Sequence, residues 1–231
     1  MNKTWIAIMC VVLAGCAGSL QSSLQNRSGE LLYLHDSAKI TEKQDATLAI
    51  GSFVIDEVLQ PSTTVRKTSG FVLPLLFVNL WKFDYQSSLG YAQIVNDYKQ
   101  FIRDSFVEEL KRSGKFKYVE DRGDIEIDIK IKTITMSAPI YRGGHFLFVM
   151  VAWAYGYYIS AGPVDVVVKA DVVLKKAGNE LLGKECQGTF RTGILKGKDF
   201  KLEDYTTAMI EGLSLAIKDL NENIVKEIDK I

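Results

Sequence analysis

Between Asp124 and Met136 the chain alternates almost without a break, with Ile125, Ile127, Ile129 and Ile131 separated by Glu126, Asp128 and Lys130 and followed by Lys132. Side chains along a strand point to opposite faces in turn, so this run reads as a strand with one apolar and one wet face. A helical period does not fit it. A half-wet strand belongs to an antiparallel sheet packed on one side, and the rest of the chain must supply its partners and its cover.

The partners are legible. Residues 164–175 repeat the pattern with Val166, Val168, Ala170, Val172 and Leu174 facing one way. Lys176, Ala177, Gly178 and Asn179 carry turn residues, so 180–192 should pair back as a hairpin. A strand over 47–56 places Leu48 and Ile50, then Phe53 and Ile55, on its apolar side, with Gly51-Ser52 shifting the phase as a bulge would. Residues 116–120 form a short strand.

Two helices supply the cover. The first runs from about Tyr91 to Arg112, with Ile94, Tyr98, Phe101, Ile102, Ser105 and Leu110 on one face and Gly114 at its C′ position. The second runs from Leu202 to about Ile228, where Tyr205, Met209, Leu213, Ala216, Ile217, Leu220 and Ile224 extend one stripe. The expected fold is therefore α+β, in the order β-α-β-β-β-β-α, a mainly antiparallel sheet with two helices covering one face. With 231 residues, 47% of them hydrophobic and 24% charged, the chain can bury about 70% of its unfolded surface in one domain.

The N-terminus carries an address. Lys3 precedes an uncharged apolar stretch from Trp5 to Leu13, and small residues follow, which is the pattern of a secretory signal peptide too short to span a bilayer stably. Leu13-Ala14-Gly15-Cys16 resembles the lipobox of bacterial lipoproteins. That resemblance implies a diacylglyceryl group on the Cys16 thiol, cleavage before Cys16, and an amine open to acylation. The bland alternative is a plain signal peptide cut near Ala14 or Ala17. More than one acyl chain anchors stably where one holds only marginally. By resemblance to Gram-negative sorting, Ala17 favours the periplasmic face of the outer membrane.

Residues 1–15 are thus the expected signal peptide and 16–44 a lipidated tether with a reach of roughly 30 Å. Within it the island Leu31 to Leu34 is read either as part of the tether or as an extra edge strand. Residues 45–231 form one domain with apolar insertions at 71–81 and 146–162. Cleavage removes Lys3 and Cys10, leaving the acylated Cys16 and one thiol, Cys186, so no internal disulfide can form.

The helix ending Glu-Glu-Leu-Lys-Arg-Ser-Gly-Lys-Phe-Lys-Tyr-Val-Glu (108–120), followed by Gly-Asp-Ile-Glu-Ile-Asp-Ile (123–129) behind a lipobox, resembles small envelope lipoproteins. Their fold is like the amino-terminal domain of the translocation protein TolB. Relatives by architecture include auxiliary lipoproteins of envelope transporters and, more distantly, the curli-secretion lipoprotein. The resemblance covers roughly residues 45–230. It implies transport or assembly roles in the envelope, with no catalytic residues to carry over.

Two apolar stretches exceed what such a fold requires. One holds Phe71, Leu73, Leu75, Leu76, Phe77 and Trp81; the other runs uncharged from Phe146 to Val164 and holds Phe146, Phe148, Trp153, Tyr155, Tyr157 and Tyr158. These residues are the candidate membrane or partner contacts, and Cys16 the candidate lipidation site. Three readings stand. The stretches pack as core; or they form an exposed patch at a lipid interface or a partner, where Trp and Tyr are at home; or they are hairpins of a self-assembled pore. A pore strand should alternate apolar with polar residues, and these stretches do not.

Chemistry-bearing patterns are sparse. His35 and His145 stand far apart with no Cys-x-x-Cys or His-x-x-x-His spacing, the glycines and lysines of 193–199 lack the phosphate-loop spacing, and no Gly-x-Ser-x-Gly elbow occurs. Glu126 and Asp128 share a strand face with Lys130 and Lys132, as a solvated sheet surface does. The balance of 28 basic and 28 acidic side chains gives no general attraction to nucleic acid. The expectation is a non-enzymatic, lipid-anchored envelope component with no cofactor beyond the lipid on Cys16. Its partners are the membrane and an envelope protein or a second copy of itself; the alternative is an oligomeric secretion-channel subunit.

Overall fold

The computed structural model describes residues 19–34, 43–56, 58–75, 77–149, 152–196 and 200–231. Nine strands lie among them: β1 (Gln44–Ile55), β2 (Thr64–Pro74), β3 (Val78–Ser88), β4 (Phe116–Tyr118), β5 (Ile125–Val149), β6 (Ala152–Ala161), β7 (Asp165–Lys176), β8 (Asn179–Arg191) and β9 (Leu195–Lys196). The helices are α1 (19–25), α2 (Tyr98–Ser113) and α3 (Leu202–Ile228). The fold is α+β with a mainly antiparallel sheet, as expected, but the expected element order is corrected: it lacked α1, β2, β3, β6 and β9 and cut β5 to half its length.

β5 is the axis of the sheet. Its first half pairs with β1 in parallel and with β7 antiparallel; its second half pairs antiparallel with β3 on one side and β6 on the other. β4 flanks β1, β8 flanks β7 and β2 flanks β3. A bulge between Ile131 and Thr133 keeps the apolar face in phase, so Ile125, Ile127, Ile129, Ile131, Ile134, Ala138 and Ile140 are all buried. The bulge in β1 falls between Ile50 and Ser52, where Gly51-Ser52 placed it. The β7–β8 hairpin turns at Ala177 and Gly178, both with positive φ, as a two-residue turn of the primed type demands.

α3 and α2 pack on the apolar face, and α3 has the bounds its stripe implied. α2 begins later than its apolar spacing suggested. The Asp97 carboxylate accepts from the amides of Lys99 and Gln100 at 2.9 and 3.2 Å and caps the helix there. Ahead of it lie a 3-10 turn, Tyr91–Gln93, and a short irregular stretch, 94–96, that holds the N-terminal segment.

That segment corrects the tether reading for residues 19–34. Leu20, Leu24 and Leu31 are buried in the same core as α3. The Gly29 amide donates to Gln93 O, the Val95 amide to Gly29 O, and Asn96 brackets Leu31 with two hydrogen bonds of 3.0 and 3.1 Å. The Tyr33 hydroxyl donates to Glu109 at 2.7 Å, and burial pushes its pKa far above the usual tyrosine range. Leu31 docks by one residue and its neighbours rather than as an edge strand. Cys16 and the rest of the expected signal peptide lie outside the described residues.

Candidate functional site: an uncovered apolar sheet

Both apolar stretches are strand, not insertion. Residues 71–81 cover the end of β2, its turn and the start of β3; residues 146–162 cover the end of β5, its turn and β6. The two hairpins join through β3 and β5 into one four-stranded antiparallel sheet in the order β2-β3-β5-β6. Two-residue periodicity fails to show in the sequence because both faces of this sheet are apolar at its far end.

On the helix side the strand registers define rows. The row Tyr85, Ile140, Ala161 is buried beneath α3, whose Tyr205 hydroxyl donates to Pro139 O at 3.2 Å. The next row is Phe83, Arg142, Ile159; then Trp81, Gly144, Tyr157; then Asn79, Phe146, Tyr155; and at the end Phe148 and Trp153. The face that forms the core at one end of β5 therefore continues past the helices without cover among the described residues. Trp153 is 71% exposed and Tyr155 58%. The outer face carries Phe71 and Leu73 on β2, Leu80 and Lys82 on β3, His145 and Leu147 on β5 and Tyr158 on β6. At the β2–β3 turn Leu75 and Phe77 are also exposed.

Every candidate contact that the structure describes thus belongs to this sheet or its turns, while Leu76 lies outside the described residues. The stretches do not pack as core along their length among the described residues: they meet through backbone pairing, Ala161 and Val164 are buried, but most of the large side chains are exposed. Trp81 is the half-buried exception. Its ring stands 5.8 Å from Phe83 and 5.9 Å from Tyr157.

The sequence reading passed over Arg142. Its guanidinium lies 5.1 Å from the Tyr157 ring and 5.8 Å from the Trp81 ring, and its Nε is buried without a hydrogen-bond partner. The available signal was its place: Arg142 is the last charged residue before an uncharged run that lasts to Val164.

Elsewhere the polar groups are occupied with one another. On the wet face of β5, Lys132 meets Asp171 at 2.9 Å and Glu185 at 3.0 Å, and Lys175 meets Asp128 at 2.6 Å. A groove of about 560 Å³ between β8 and α3 is lined by Lys184, Cys186, Glu227 and Lys230. There Lys230 and Lys184 hold the Glu227 carboxyl below its usual range, and burial pushes the Cys186 thiol up, so the thiol stays protonated. Among the described residues no group of three or more His, Cys, Asp or Glu could hold a metal ion, and no helix is long and apolar enough to cross a membrane.

No family model matches the chain, and no curated protein is significantly similar to it. Among solved structures, a Xanthomonas campestris protein of the DUF330 family aligns over 88% of this chain and 97% of its own, at 10% identity and a TM-score of 0.39. A likeness that remote assigns neither fold nor function.

Proposed function

We propose that this protein is a lipid-anchored, non-enzymatic component of an envelope transport or biogenesis system, held at the periplasmic face of the outer membrane, with the uncovered sheet as its working surface. One observation carries the reading: the core face of β5 runs on from Ile140 to Phe148 beyond the helices, with exposed aromatic side chains on it. Contiguous exposed apolar surface of this kind is a contact surface waiting for its partner. The lipobox Leu13-Ala14-Gly15-Cys16 supplies the anchor. Labelled palmitate should enter the wild-type chain and fail to enter Cys16→Ser. Equal labelling of both would remove the anchor from the proposal.

A second reading, a subunit of an oligomeric secretion channel, is favoured by the edges of the same sheet. Among the described residues β2 pairs only with β3, and β6 from Ala152 to Ile159 only with β5. Strands of 10 and 11 residues at both edges match the 9–11 or so residues a membrane strand needs. Light scattering on the lipidated, detergent-extracted protein decides: a uniform ring of many copies supports the channel, and a monomer or dimer excludes it.

A further inference from the structure

The uncovered sheet has a sharp electrical boundary. Beyond Arg142 on β5 and up to Lys82 on β3, residues 70–81 and 143–164 contain no Asp, Glu, Lys or Arg. Over the stretch of strand that leads up to this boundary, from the level of Pro139 to that of Gly143 on β5, five basic side chains ring the sheet. Arg66 and Lys67 stand opposite Gln86 and Tyr85, Lys82 stands opposite Gly143, and Lys196 of β9 stands opposite Ser160. Arg142 is the fifth. Asp84, 3.5 Å from Lys82, is the one acid on the same strands at that level. The chain as a whole carries no net charge, so this collar is a local concentration of positive charge at the base of an apolar blade.

We infer that the blade enters one leaflet of a bilayer bearing anionic headgroups, with Arg66, Lys67, Lys82, Arg142 and Lys196 set against the phosphates. The inference rests on the sheet being the contact surface and adds what it contacts. The dimensions agree. From Arg142 to Phe148 is six residues, about 20 Å of strand. At a tilt near 45°, common for strands in membranes, that is about 14 Å along the bilayer normal. With the collar at the outer side of a headgroup region about 5–7 Å thick, such a depth carries the turns about 7–9 Å into hydrocarbon, the range of an interfacial insertion. Deeper burial is opposed, because each further row would put more of the unpaired backbone groups on the outer edges of β2 and β6 into hydrocarbon. Trp81 and Tyr157, one row above Arg142, lie where indole and phenol rings settle at a membrane boundary.

The chain from Ala17 to Ile231 contains every described residue and lacks only the expected signal peptide and anchor, so any vesicle binding it shows owes nothing to acyl chains. With Trp81→Phe, Trp153 is its sole tryptophan. Vesicles of phosphatidylglycerol and phosphatidylethanolamine should take up this protein, shift Trp153 emission to the blue, and quench it when their acyl chains are brominated. The triple variant Arg66→Gln, Lys67→Gln, Lys82→Gln removes exposed charges and should bind these vesicles on the order of 100-fold more weakly. Equal binding to pure phosphatidylcholine, or no loss in the triple variant, would overturn the role of the collar. Binding without quenching, or no binding by protein whose circular dichroism shows it folded, would overturn insertion. Palmitate labelling of Cys16 reads the anchor separately, so the two failures are distinct.

Discussion

Trp81 and Tyr157 stand on strands that do not pair with each other, yet their ring centroids are 5.9 Å apart. The strand between them, β5, places Gly144 opposite both residues. A Cβ on Gly144 would come within 2.8 Å of Trp81 Cζ2, far inside ordinary contact. The rings meet because β5 carries no side chain at this point. Gly144→Ala should therefore lower stability by about 1–3 kcal/mol, as overpacking does. Urea unfolding followed by Trp fluorescence checks this; an unchanged midpoint would mean that the row relaxes freely.

The N-terminal segment is expected to behave as core. Leu24 is fully buried, and its carbonyl accepts from the Thr206 hydroxyl on α3 at 2.7 Å. Leu24→Ala should cost about 2–5 kcal/mol, the range for a leucine truncated inside a packed core. A change below about 0.5 kcal/mol in denaturant unfolding would restore the flexible-tether reading for this segment.

The sequence reads well where one face is wet. The β1 bulge, the alternation of β5 and β7, the hairpin turn at Ala177-Gly178 and the bounds of α3 all follow from period and turn chemistry. β2 escaped because Arg66, Lys67, Thr68 and Ser69 are polar in succession and then Phe71, Val72 and Leu73 apolar in succession, so neither half alternates. The run from Phe146 to Tyr158 hides its strands for the same reason, apolar on both faces. Residues 94–96 look helical from their apolar spacing. They stay outside the helix because Gly29 and Leu31 take up hydrogen bonds of Val95 and Asn96, a contact across more than 60 residues that no local signal announces. The candidate contact residues were legible as composition; that they form one sheet with Arg142 at its base required the strand register.

Stability should carry an acid signature at Asp128. Its carboxylate accepts from Lys175 Nζ at 2.6 Å and from Ser52 Oγ at 2.7 Å, and the hydrogen bond from Lys175 holds its pKa below the ordinary value. A carboxyl lowered in the folded state stabilises above its unfolded pKa of about 3.9 and loses that contribution as pH falls toward the folded value. The pair is partly exposed, so the contribution is under about 1 kcal/mol. Asp128→Asn should lower stability slightly at pH 7 and flatten its decline below about pH 4. Parallel pH profiles for variant and wild type, from urea midpoints, would contradict this.

The most direct measurement is the accessibility of position 155 in intact envelopes. A chain carrying Tyr155→Cys and Cys186→Ser is treated with a water-soluble maleimide, first in the envelope and then after purification. Position 155 lies in the middle of the uncovered aromatic face, so the expected result is protection in the envelope and rapid labelling once purified. Equally rapid labelling in both would mean that the sheet faces water where the protein works, and would contradict its role as the contact surface.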